Sequence, residues 1–221
     1  MSGDSSETRL RGSNLISFVS GFSALAKGDI LDVLLWAELS ASERFDREKQ
    51  WSQWIERYQS VLVESSFKPE SSLSQKPVKV SNEAGFRRET AKLIKAINQP
   101  KLAGSAESAL NDMFNSPHAQ LFFSSWLNFN AGRSDSFQIV PCEWVAFGQL
   151  RVAVCGLQML TRTKLKPPLI TFPQWPFKYE MTLTLRGGSF IYDVSAYAPH
   201  RERIREALRV KGADAIRNIQ L

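Results

Sequence analysis

FDREKQWSQWIERYQSVLVESSF, Phe45–Phe67, decides how this chain of 221 residues is built. Trp51, Trp54, Ile55, Tyr58, Val61 and Leu62 fall at helical intervals. Lys49, Ser52, Gln53, Glu56, Arg57 and Gln59 fill the opposite face. That is the period of an amphipathic helix. Asp46 is placed to cap it, with Glu48 favourable in the first turn. The apolar face is too continuous to be left in water, because monomers seldom expose a patch of that size. The spacing therefore predicts a core helix, packed on the preceding helix and on the back of a sheet, rather than a binding surface.

Working outward, residues 1–12 read as a disordered tail and residues 13–26 as a short helix. A helix capped by Asp29 follows, with Ile30, Val33, Leu34, Ala37 and Ala41 at helical spacing. Lys68–Val80 is polar and carries two prolines, which predicts a loop ending in a short strand at Val78–Val80. Ser81 or Asn82 would cap the next helix, with Phe86, Thr90, Leu93, Ile94 and Ile97 inward. A further helix or helix pair extends to about residue 130, its second piece starting at Pro117.

The pattern changes beyond Gly132. SFQIVPCEWVAFGQLRVAVCGLQMLTRT is strand-rich, alternating with period two from Gly148 to Met159. Another strand is expected near Leu169–Phe172, and two more around the turn-like Arg186-Gly187-Gly188. A closing helix begins with Pro199 in its first turn and keeps Ile204, Ala207, Leu208, Ala215, Ile216 and Ile219 on one face. The expected fold is α+β: an N-terminal helical layer, helical over 13–130, packed on an antiparallel sheet of about four strands within 134–197, closed by a helix over 199–220. Residues 13–221 read as a single domain.

Composition narrows the function classes. Hydrophobic residues make up 43% and charged residues 23%, ordinary for a globular protein that buries its own core. Net charge is +6, but unevenly spread. Residues 1–66 hold seven basic and ten acidic side chains, whereas residues 199–221 hold six and three. A basic final helix suits a solvated face, a phosphate or an anionic membrane surface. The polar start MSGDSSETRLRGSN has no signal-peptide character, and the apolar run LISFVSGFSALA is too short to span a bilayer. A cytoplasmic protein as synthesised is expected, with export only through a dedicated secretion system.

No motif commits the chain to a reaction. There is no G-x-S-x-G elbow, no phosphate-binding glycine loop and no metal-ligand spacing around His118 or His200. Neither catalytic, cofactor-binding nor metal residues are assigned, no cofactor is expected, and scattered basic residues without a recognisable module give no reason to expect nucleic acid. Two places remain. Cys142 follows Pro141 near a strand end and is the better of the two cysteines for exposure, reactivity or acylation; Cys155 alternates with Ala153 and Leu157 toward a core. In ITFPQWPFKYE, Phe172, Trp175, Phe177 and Tyr179 are interleaved with prolines, which places them on a loop or edge. Such aromatics cap a sheet, contact a membrane or partner, or line a ligand site.

DVLLWAELSASERFDREKQWSQWIERYQSVLVESSF, FQIVPC and LITFPQW resemble a family of small bacterial and fungal proteins of the Evf virulence-factor type. The resemblance covers residues 32–67 and, more loosely, 136–221. It departs at Ser65-Ser66-Phe67, where the pattern has Gly-Trp. It implies an α/β or α+β protein with a role toward a host or competitor. Evf carries an acylated cysteine, which no motif places on Cys142 or Cys155. The leading expectation is a non-enzymatic interaction protein, an effector-type factor contacting a membrane surface or a protein partner. The alternatives are a cysteine-dependent hydrolase or acyl-transfer enzyme, and a small-ligand-binding domain. Oligomeric state is left open.

Overall fold

The computed structural model describes residues 7–81, 83–95, 100–116, 134–161, 181–211 and 218–220. In chain order the elements are β1 (Glu7–Arg11), β2 (Asn14–Phe18), α1 (Ala24–Ser42), α2 (Trp51–Glu64), β3 (Lys68–Val80), α3 (Glu83–Lys95), α4 (Pro100–Asn115), β4 (Ser134–Ala146), β5 (Gln149–Thr161), β6 (Met181–Asp193), α5 (Val194–Val210) and β7 (Asn218–Gln220). The seven described strands form one sheet in the order β3-β6-β5-β4-β2-β1-β7. Neighbours run antiparallel except β2 and β4, which are parallel.

Helices cover both faces of the sheet. One core joins α1, α2 and α5 to Cys142, Val152 and Val154. The other joins Phe86 of α3 and the Leu102, Ala106 and Met113 side of α4 to Ala153, Cys155 and Leu157. Every residue from Val152 to Leu157 is buried, so β5 alternates between two cores and not between core and water. The mixed α and β content agrees with the sequence, whereas strand number and order differ. Four of the seven described strands, β1, β2, β3 and β7, lie outside 134–197.

The core-helix reading of the opening stretch holds. Trp51, Trp54, Ile55, Tyr58, Val61 and Leu62 are all buried on α2. Asp46 caps the turn before that helix, accepting from the amides of Glu48 and Lys49. Trp54 donates from Nε1 to Ser42 Oγ at 2.9 Å, pinning the start of α2 to the end of α1.

Elsewhere the elements differ for identifiable reasons. Residues 7–18 form a hairpin in place of a tail and a helix, with Gly12 in the left-handed region at φ +57°. A short apolar run such as Asn14–Phe18 has no periodicity that separates a buried strand from a buried helix. Helix α1 starts earlier, capped by Ser23 Oγ on the Ala26 amide, and Asp29 lies inside it. Lys68–Val80 is a 13-residue edge strand. Its register shifts at Pro69/Ser71 and Gln75/Val78, which is how an edge strand accommodates proline and resists further pairing. Arg186-Gly187-Gly188 is no turn but the middle of β6. A Cβ on Gly187 would lie 1.7 Å from the Val154 carbonyl oxygen, so the glycine serves close strand approach. Helix α5 begins at Val194, capped by Asp193, with Pro199 inside it, and Asn218–Gln220 pairs with β1 as a strand. The predicted strand near 169–172 and the helical piece from Pro117 lie outside the described residues.

No described helix is long and apolar enough to cross a membrane.

Candidate functional site

Cys142 sits on β4, paired in register with Phe18 and Val152, and faces α1 and α2. It is fully buried, and its Sγ points toward the Val140 carbonyl at 3.7 Å. Burial pushes its thiol well above the ordinary range. The expected exposure is therefore not met: the strand end that Pro141 suggested comes only at Ala146, four residues beyond Cys142, and helices roof the cysteine. Cys155 faces the opposite core, as its alternation predicted, and burial pushes it up to about 12. The two thiols are free and on opposite faces. Phe172, Trp175, Phe177 and Tyr179 lie outside the described residues, as does His118.

His200 on α5 meets Ser66 through Nε2 at 2.8 Å. Its other nitrogen, Nδ1, lies 3.1 Å from Arg203 Nη2. A guanidinium can only donate, so Nδ1 accepts and Nε2 carries the hydrogen. The imidazole thus donates to Ser66 and cannot take its proton. Burial and the nearby Arg203 both hold His200 below its ordinary value of 6.5. A serine–base couple would need the reverse arrangement and an acceptor behind the ring.

The buried charges form ties between layers. Asp29, fully buried on α1, accepts Arg201 Nε at 2.8 Å on Oδ1. Its Oδ2 accepts Arg201 Nη2 at 2.6 Å and the Tyr192 hydroxyl at 2.7 Å. Arg205 approaches Oδ1 at 3.7 Å and reaches Asp32 at 3.4 Å. One carboxylate thereby joins α1, β6 and α5. A second tie surrounds Glu38, which accepts from the Ser13 amide and Asn14 Nδ2, each at 2.9 Å, and from Arg47 at 3.3 Å. The Tyr58 hydroxyl completes it on Asn14 Oδ1 at 2.7 Å, and the Arg47 guanidinium lies 4.5 Å from the Trp54 ring centre. A third sets Arg151 between Glu143 and Glu70, both at 2.6 Å, with Ser189 also on Glu70. These carboxylates spend their lone pairs on fixed donors. The arrangement suits structure and leaves no group poised for proton transfer. No cluster of three or more metal-ligating side chains occurs among the described residues.

Two surface features are less readily explained by folding. A cleft of about 450 Å³ runs between α2 and the start of β3, lined by Gln59, Ser60, Val63, Glu70, Ser71 and Phe190. At one end of the sheet the β4–β5 hairpin exposes Trp144, Val145 and Phe147, the last fully. Sequence reasoning missed this tip. The signal was present in Phe147-Gly148, a glycine between two alternating runs, which marks a turn with an apolar residue at its apex.

No family model and no curated protein sequence matches the chain. Solved structures do. The activated Cyt2Ba monomer from Bacillus thuringiensis subsp. israelensis superposes with a TM-score of 0.52 over 83% of this chain and 98% of that one, at 7% identity. A delta-endotoxin superposes with a TM-score of 0.50 over 83% and 84%, at 11% identity. At such identities the likeness is one of fold alone: the fold resembles that of bacterial toxins. The Evf-type resemblance finds no support in these matches.

Proposed function

We propose that the protein is a toxin-like, virulence or effector-type factor that acts by contact with a membrane surface, without catalysing a reaction. The observation that carries this reading is the shared fold, which extends across 83% of the chain to the activated Cyt2Ba monomer and to a delta-endotoxin. The saturated polar ties and the sealed thiol of Cys142 accord with it, since neither offers a nucleophile or a base. A hydrolase or acyl-transfer reading through Cys142 has against it the burial of that sulfur beneath two helices. The aromatics Phe172, Trp175, Phe177 and Tyr179 remain proposed contact residues.

Flotation of the full chain with phosphatidylcholine vesicles, with and without phosphatidylserine, tests the proposal. Co-flotation is expected. A chain that stays with the soluble fractions in both mixtures overturns the membrane reading and leaves a host or competitor protein as the partner to seek. A Trp175→Ala variant that floats as the parent does removes the 172–179 segment from the contact surface.

A further inference from the structure

Of the seven large hydrophobic side chains exposed among the described residues, three are Trp144, Val145 and Phe147, all in the β4–β5 hairpin. Isolated exposed apolar groups are normal on a protein surface, but consecutive ones at a turn apex are not. Turn chemistry does not ask for them. Gly148, at φ +73°, supplies the left-handed residue that closes the turn, and a polar residue at position 147 would serve the fold equally well. Phe147 is 105% exposed and so contributes nothing to either core. Trp144 is anchored from behind by Phe22, ring centres 5.2 Å apart, and Phe22 by Phe18 at 5.3 Å. The tip is thus a braced, convex apolar projection.

Its electrostatic setting is balanced. The α5 amide of Val194 donates to the Gly148 carbonyl at 3.1 Å, so the N-terminus of that helix abuts the turn. Helix α1 starts six residues beyond Phe18, which pairs with Cys142 near the base of the same hairpin. Neither helix has an acidic residue in its first turn. Ser23 caps the first of them, and the Asp193 carboxylate caps the second and offsets its dipole. The nearby carboxylates are occupied: Glu7 by Lys27 and Arg9, Glu143 and Glu70 together by Arg151, and Asp193 by the amides of Ser195 and Ala196. Lys68, exposed and paired with Ile191 in register, adds a positive charge.

We infer that this hairpin tip is where the protein lies against a lipid bilayer, Phe147 and Val145 entering the acyl boundary and Trp144 resting among the headgroups; this rests on the membrane reading above. A flat, deformable surface accepts a convex apolar tip without a preformed pocket. Tryptophan at headgroup level is the usual arrangement at membrane interfaces. Because the charges around it are paired, the tip engages the bilayer through its apolar side chains and binds neutral and anionic headgroups alike.

The test is flotation of the full-length Phe147→Ser/Val145→Ser variant beside the parent and Phe147→Trp, on phosphatidylcholine vesicles with and without phosphatidylserine. Burial of a phenyl ring accounts for about a tenfold change in partitioning, so the serine variant should lose about tenfold in bound fraction. Phe147→Trp should bind as the parent does, and all three should melt together because neither Val145 nor Phe147 belongs to either core. A parent that floats beside a serine variant that floats equally overturns the tip assignment and leaves the membrane reading standing. A parent that never floats overturns both. A parent that floats only with phosphatidylserine overturns the apolar assignment, because charge and not the tip would then hold the protein to the vesicle.

Discussion

At the scale of single residues, the carboxylates of this protein are tuned by their partners. Hydrogen bonds from Arg151 and Ser189 hold Glu70 below its ordinary value of 4.5, despite the opposing cost of burial. A folded value below the unfolded one gives stability that is complete above about pH 4.5 and is lost as the pH falls through the lowered value. The Glu70→Gln variant should therefore show a flatter decline of melting temperature on the acid side of pH 4.5 than the parent. A parallel decline in both would show that Arg151 and Glu70 do not interact in solution. The cysteines shift the opposite way, because burial penalises the thiolate. Mass spectrometry after mild alkylation at pH 8 should find both Cys142 and Cys155 reacting far more slowly than a free thiol, and rising to the free rate in urea. A fast Cys142 in the folded protein would restore the enzyme reading.

Elements show how far a pattern of residues can be read, and where tertiary context takes over. The α2 stripe was legible because six residues at helical spacing admit one solution. The inward face of β5 was legible for Cys155 and Leu157, and its outward face was not. Both faces are buried, so alternation carried no polar signal beyond Arg151 and Gln158. Arg186-Gly187-Gly188 misled for the same kind of reason. A glycine pair reads locally as a turn, whereas its cause is the backbone of a strand distant in sequence. That cause is testable. A methyl on Gly187 meets the Val154 carbonyl oxygen at 1.7 Å, and backbone in mid-sheet has no room to move. At Gly156 the closest contacts are the end of the Ile55 side chain at 2.8 Å, which can turn aside, and the Arg186 carbonyl oxygen at 3.0 Å, where the backbone need give by only a few tenths of an ångström. Gly187→Ala should cost about 3 kcal/mol or more, and Gly156→Ala nearer 1 kcal/mol, in urea titration. Equal costs would mean the strands do not approach as closely as the geometry gives. The candidate site was less legible still. Phe147 is one apolar residue among many in the sequence, and only the position of the turn makes it exposed.

On the scale of the whole molecule, one sheet separates two cores of unequal character. The α1–α2–α5 side holds Trp54, Tyr58, Tyr192 and Tyr197 and is stitched by Asp29 and Glu38. Among the described residues the α3–α4 side is built on Ala103, Ala106, Ala109 and the leucines of the strands, with Phe86 and Phe137 as its aromatic side chains. Large aromatic side chains bury more area than alanines, so the first layer should open at the higher cost. Asp29 gives a way to perturb one layer alone. Replacing it by asparagine keeps the volume but leaves Arg201 without its carboxylate and Tyr192 with a weaker acceptor. Breaking such a pair by removing one partner costs about 3 kcal/mol. In Asp29→Asn, hydrogen exchange should quicken along α5, whose attachment to α1 and β6 runs through this carboxylate. The amides of β5, paired on both sides and buried on both faces, should follow the lowered global stability, and the smaller openings of α3 and α4 should keep their parental rates. Matching acceleration of α3 and α4 with α5 would show that the sheet transmits the loss, and that its two faces unfold as one unit.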